Sequence, residues 1–150
     1  MFKILVATDG SACANKAVDY AGLLVRRIGD AEITILSVID MRIINQASIH
    51  PTALTATLIK DLEEAASEVL QEAQQRLSWV GKEVSVVLER GIPAQTICDQ
   101  AETGTLDLIV MGSRGHGRIA GILLGSVSDR VVHLARVPVL IVHARDCDEV

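Results

Sequence analysis

Leu106–Val142 reads LDLIVMGSRGHGRIAGILLGSVSDRVVHLARVPVLIV: an apolar run, a glycine-rich loop, a helical pattern and a second apolar run. Leu106–Met111 and Pro138–His143 have the composition of buried strands, and Ser126–Ala135 that of the helix between them. Parallel strands need such a crossover, so this unit predicts α/β architecture. Gly112, Gly115, Gly117, Gly121 and Gly125 fall within fourteen residues of the loop. Glycines at the mouth of a helix let backbone N–H groups approach an anion, and the helix start adds unpaired amides and a positive dipole end. In this reading Gly112 lets the chain leave the strand tightly, and Gly115 and Gly117 take positive φ to form an anion nest. Gly125 allows close approach to a phosphate. Ser126 starts the capping pattern Ser126-x-x-Asp129, accepting from the Asp129 N–H while donating to phosphate. Arg114 and His116 would add charge-assisted contacts of about 1.5–3 kcal/mol each if buried against phosphate. The bland alternative is a flexible connection.

Outward from this unit, the same alternation continues. Lys3–Thr8, Glu32–Val38 and Glu83–Glu89 read as three more buried strands. Helical patterns cover Ser11–Ile28, with Ser11 as N-cap and a stop at Gly29-Asp30, and Pro93–Thr103, which opens on a proline. A third, Leu54–Val80, carries an apolar stripe of Leu58, Leu62, Ala65, Ala66, Val69, Ala73, Leu77 and Val80. The expected fold is one domain over residues 1–150, an open, mainly parallel five-stranded sheet with helices on both faces. If the order is 3-2-1-4-5, the first strand's end at Thr8-Asp9-Gly10 and the fourth's at Met111-Gly112 flank one crevice, beside Val38. Asp9 would there accept from ribose hydroxyls or hold a hydrated Mg²⁺ bound to phosphates, while also making an ordinary Asp-Gly turn. Asp40–Ala53 reads as a long loop, either a mobile surface segment or a lid over the ligand.

Composition limits the partners. The 150 residues carry a net charge of −5, which argues against general binding of nucleic acid or anionic membranes. With one Trp, one Tyr and one Phe, base stacking is a poor strategy for this chain. No apolar run approaches the ~20 residues of a membrane span, and the start MFKILVATDG does not read as a signal peptide. Cys13, Cys98 and Cys147 form no C-x-x-C pair, so reduced thiols and a cytoplasmic location are expected. His50, His133 and His143 lack metal-ligand spacing and read as solvated or core residues. G-x-x-x-x-G-K-[ST] is absent, and Gly115-x-Gly117-x-x-x-Gly121 is one residue too long for a dinucleotide fingerprint.

Taken together, these stretches resemble the universal stress protein family over almost the whole chain. Ile4–Ser11, ILVATDGS, is similar to the family's opening, and Gly91-Ile92-Pro93-Ala94 to its G-x-P-A. Asp107–Gly115, DLIVMGSRG, is similar to its fourth strand, and Pro138–Val142 to its closing strand. The most specific match is the ATP motif G-x2-G-x9-G-[ST], present as Gly112, Gly115, Gly125 and Ser126; members that do not bind ATP typically lack it. Val137 departs from the Cys that many members carry, a difference of packing. The resemblance implies an adenine nucleotide alpha-hydrolase-like fold and places adenine near Ala7 and the backbone of Val38, with Thr8 also in the ATP site. It sets Asp9 at the ribose and metal side, and the triphosphate over Gly112, Ser113, Arg114, Gly115, His116, Gly117, Gly125, Ser126, Val127 and Ser128. It also implies a homodimer, and pairing Val139–Val142 with its own copy would remove an exposed apolar edge. The leading expectation is a stress-response regulator that binds ATP with Mg²⁺ and is read by an unidentified downstream protein. Alternatives are a slow ATPase or nucleotidyl-transfer enzyme, and a nucleotide-independent dimeric scaffold. No catalytic base stands out, so any hydrolysis should be weak.

Overall fold

A computed structural model describes residues 1–47, 53–116 and 123–143. Its centre is a parallel sheet of five strands, β1 (Phe2–Ala7), β2 (Ala31–Asp40), β3 (Val84–Gly91), β4 (Leu108–Gly112) and β5 (Val139–Val142), in the order β3-β2-β1-β4-β5. The expected order is therefore the observed one. Ile4, Leu5 and Val6 of β1 are at most 1% exposed, which is why the central strand is an unbroken apolar run rather than an alternation. Each such side chain contributes about 1.5–3 kcal/mol by leaving water.

Five helices cover the sheet: α1 (Ala12–Ile28), α2 (Met41–Ala47), α3 (Ala53–Arg76), α4 (Pro93–Thr103) and α5 (Ser126–Leu134). Alternation along the strands sorts the packing. Ile4, Val6, Ile33, Ile35 and Val110 meet α1 and α3 on one face. Leu5, Ala7, Leu36, Ile109 and Met111 meet α4 and α5 on the other. Ser11 caps α1 as expected, its Oγ accepting from the Ala14 N–H at 3.3 Å, and Gly29 ends the helix at φ 78°. Pro93 opens α4, where its missing N–H costs nothing.

Four expectations need correction. Asp40–Ala53 is not a loop throughout: β2 runs directly into α2, which is pinned by Ile44 at 3% exposure; residues 48–52, with His50, lie outside the described residues. The third helical pattern ends as α helix at Arg76, and Ser78–Val80 wind as a 3-10 turn. In its stripe Ala65 is exposed, whereas Leu70, absent from the expected set, is buried with Ala73 and Leu77. The period of 3.6 drifts over so long a helix, so the buried line shifts by one residue. Finally, three reduced thiols were expected. Cys98 is free and buried, its thiol pushed up mainly by burial, but Cys13 is disulfide-bonded; Cys147 lies outside the described residues.

Candidate functional site

At β1 the sheet reverses its order of connection. The chain leaves β1 toward α1 on one face, and leaves β4 toward α5 on the other. The diverging ends leave a crevice of about 380 Å³ beyond the carboxyl ends of the strands. Ala7, Thr8, Asp9 and Val38 line it, as do Gly112, Arg114, Gly115, His116, Gly125, Ser126, Val127 and Ser128. Of the other expected site residues, Gly117 lies outside the described residues, as does Gly121 of the same loop. Ser113 does not line the crevice. It is 2% exposed; its N–H donates to the Val142 carbonyl at 3.1 Å and its carbonyl accepts from the Gly125 N–H at 2.7 Å.

The crevice has two chemically different ends. One is apolar, walled by Leu36 and Val38 of β2, Met111 of β4, Pro93 and Ile97 of α4, Val127 of α5 and Ile43 of α2. Here β2 outruns β1, whose pairing stops at Ala7 with Leu36, closed by a 2.9 Å bond from the Thr8 N–H to the Leu36 carbonyl. Backbone groups alternate sides along a strand, so Val38, two residues on, turns its N–H and C=O to the same side as Leu36. There β1 has ended, and the two groups face the crevice.

The other end is polar. Thr8 Oγ1 accepts from the Gly10 N–H at 3.2 Å, and Asp9 Oδ1 from the Ser11 N–H at 3.0 Å. This turn requires Gly10 at φ +79°, and a Cβ there would stand 2.8 Å from Val69 Cγ2 of α3. His116 Nε2 lies 2.8 Å from the Asp9 carbonyl, tying the loop after β4 to the turn after β1. Ser128 Oγ is buried and donates to the Ser113 and Gly125 carbonyls at 2.8 and 3.0 Å, so its proton is committed to the protein. Ser126 is exposed in the first turn of α5.

The loop glycines work differently from expectation. Gly115 does not have positive φ; among the described glycines only Gly10, Gly29 and Gly81 do. The need is for close approach. A Cβ at Gly112 would stand 2.8 Å from the Cys13 carbonyl carbon, so this glycine seats α1 against the end of β4. A Cβ at Gly115 would collide with Asp9 Oδ2, and one at Gly125 would sit 3.3 Å from Arg114 Cα. The expected Ser126 cap is also absent. Gly125 is the N-cap, no side chain caps α5, and the Asp129 N–H donates to the Gly125 carbonyl at 2.9 Å. Among the described residues the first-turn amides of α5 thus have no side-chain acceptor, and they meet the crevice with the positive end of the helix dipole.

Met111 lines the crevice as expected, and Asp40, Ile43, Pro93, Ile97, Leu36 and Ala14 line it without having been singled out. Leu36, Val38 and Asp40 share one strand face, and Pro93 and Ile97 one helix face, so periodicity held that signal. Ile43 gave none while its segment read as a loop. Asp40 is gripped by Arg42: Oδ1 accepts from the Arg42 N–H at 3.0 Å and Nε at 2.9 Å, and Oδ2 from Nη2 at 2.7 Å. That guanidinium holds the Asp40 carboxyl below its ordinary range, against the opposing effect of burial. Among the described residues no three His, Cys, Asp or Glu side chains converge on a metal, and no helix is long and apolar enough to cross a membrane. His133 is exposed on α5, 2.8 Å from the Asp129 carbonyl.

Comparison with known proteins places this geometry. The profile of the universal stress protein family matches residues 1–143. Universal stress protein YxiE of Bacillus subtilis is 32% identical over 145 residues, covering 93% of this chain and 97% of its own. The solved structure of a universal stress protein of Methanocaldococcus jannaschii superposes with a TM-score of 0.84 at 32% identity, covering 96% of each chain. Another, solved in complex with cAMP, gives 0.68 at 29% identity over 95% of this chain and 96% of its own.

Proposed function

Because the chain belongs to the universal stress protein family, we propose that it is a stress-response regulator that binds ATP in the crevice at the ends of β1, β2 and β4. The observation that carries this reading is the uncapped start of α5 facing the polar end of a crevice whose other end is apolar. A nucleotide has the same division, a flat apolar base and an anionic tail. The base would lie between Val38, Met111, Ile97 and Val127, with Ala7 and Thr8 beneath. Its ring nitrogen and amino group would meet the amide and carbonyl that Val38 turns to the crevice. The phosphates would take the α5 amides at Ser126 and Val127, the Ser126 hydroxyl and the backbone at Gly115, with Arg114 and His116 alongside. A structurally similar family member carries cAMP, which supports an adenine nucleotide.

Asp9 Oδ1 is taken by the Ser11 amide, which leaves Oδ2 to accept a ribose hydroxyl or a water on Mg²⁺. With Asp9 the one carboxylate at this end among the described residues, Mg²⁺ would be held chiefly by phosphate oxygens and water, as its octahedral shell prefers. The ion would screen the charge of the tail. Asp9 and His116 are each hydrogen-bonded within the protein, so this reading gives hydrolysis a minor place at most. Dimerisation through β5 fits its position at the sheet edge, where all four residues are only half-buried.

Melting temperature with ATP, AMP and cyclic AMP, with and without Mg²⁺, tests the proposal. A ligand at about 100 times its Kd stabilises by about 2.7 kcal/mol, or several degrees for a chain of this size. No shift with any of them at millimolar concentration would leave the scaffold alternative.

A further inference from the structure

Resting on the nucleotide reading above, the geometry points to Asp40 as the residue that selects a 6-aminopurine over a 6-oxopurine, by accepting from the exocyclic amino group of the base. Three observations converge on it. First, Asp40 lies two residues beyond Val38 on β2, on the same strand face, and both line the crevice. Asp9, Arg114 and His116 belong to the polar end, so among the described residues Asp40 is the charged side chain lining the apolar end.

Second, the direction of β2 orients the base. Along a strand each residue's N–H precedes its C=O. A 6-aminopurine laid on Val38 therefore puts its ring acceptor on the amide and its amino group on the carbonyl, which is the side nearer Asp40. The Val38 carbonyl takes one amino hydrogen. The second points onward along the strand.

Third, Asp40 has an acceptor direction to spare and cannot donate. A carboxylate offers about four lone-pair directions. Arg42 fills two on Oδ1 and one on Oδ2, leaving one on Oδ2. The same guanidinium keeps the group ionised at any neutral pH. A 6-oxopurine brings an oxygen to this place, two acceptors face each other, and neither can supply a proton. Such unpaired polar groups are what make a site reject an isostere strongly.

Asp40→Asn and Asp40→Ala test this, with ATP and inosine triphosphate as paired probes in calorimetric titrations. Wild type should prefer ATP, partly through Val38. Alanine should shrink the ATP-to-inosine ratio by about tenfold or more, the value of one hydrogen bond to a charged group. Asparagine should shrink it further, because its amide can turn to donate to the 6-oxo group. Both variants should fold, since the Arg42 left behind is 54% exposed and stays hydrated. A ratio within twofold of wild type in both variants overturns the role of Asp40 while leaving ATP binding intact. Failure of wild type to bind either nucleotide overturns the underlying reading, and this inference with it.

Discussion

Gly115→Ala is the smallest change that should separate the site from the fold. Its added Cβ would collide with Asp9 Oδ2, so the carboxylate must turn away. Turning releases Oδ1 from the Ser11 amide, a 3.0 Å bond. Asp9 is exposed and water replaces that bond, so stability should fall by about 0.5–1.5 kcal/mol, a few degrees in Tm. Binding should suffer more. A hydrogen bond that Asp9 accepts from a ribose hydroxyl or from metal-bound water is worth about 1.5–3 kcal/mol, which converts to about ten- to hundredfold in Kd. Calorimetry with ATP and Mg²⁺ on wild type, Gly115→Ala, Asp9→Ala and the double variant gives the answer as a cycle. If the methyl acts by displacing Asp9, the second substitution adds almost nothing once the first is made, and the coupling equals nearly the whole single effect. Additive losses, or wild-type affinity in Gly115→Ala, would refute the reasoning.

Gly125→Val should abolish ATP binding while the protein still melts cooperatively. Its Cβ meets Arg114 Cα at 3.3 Å and the γ-carbons would press on the Ser113–Gly115 backbone, an overpacking of about 1–3 kcal/mol; retained affinity in a folded variant counts against this geometry. Asp9→Ala should weaken binding more with Mg²⁺ than without, and equal losses in paired titrations would remove Asp9 from the metal's surroundings. The pH dependence follows from Asp40, whose carboxyl sits below its ordinary 3.8 in the folded protein because of Arg42. A lowered pKa means that the contribution is complete above the unfolded value and is lost as pH falls through the folded one. The Tm difference between wild type and Asp40→Asn should therefore be largest near neutrality and shrink below about pH 4, as scanning calorimetry from pH 3 to 7 would register; a constant difference contradicts the ion pair.

The strands and four of the helices were legible because burial on both faces leaves long apolar runs, and because Ser11, Gly29 and Pro93 mark helix ends by chemistry that acts locally. Helix α2 was not. MRIINQA is short, and it packs through tertiary contacts with α3 and β3 that no local pattern announces. At the crevice, the glycine spacing located the right loop but suggested the wrong cause. Backbone freedom was expected at Gly115, whereas the constraint is Asp9, more than a hundred residues away along the chain. The Ser126-x-x-Asp129 pattern misled in the same way. A capping box satisfies the helix start internally, and here Gly125 takes the N-cap and leaves those amides for another acceptor. Asp40 was hidden because its importance comes from sharing a strand face with Val38, past the point where β1 stops.

The central claim is that backbone amides between β4 and α5 hold a phosphate tail. Backbone amide NMR shifts measured during parallel titrations with ATP and with adenosine test it most directly. The account predicts large shifts at Gly115, Ser126 and Val127 with ATP and not with adenosine, while Val38 responds to both. Equal responses to the two ligands at the α5 amides, or none there with ATP, would contradict it.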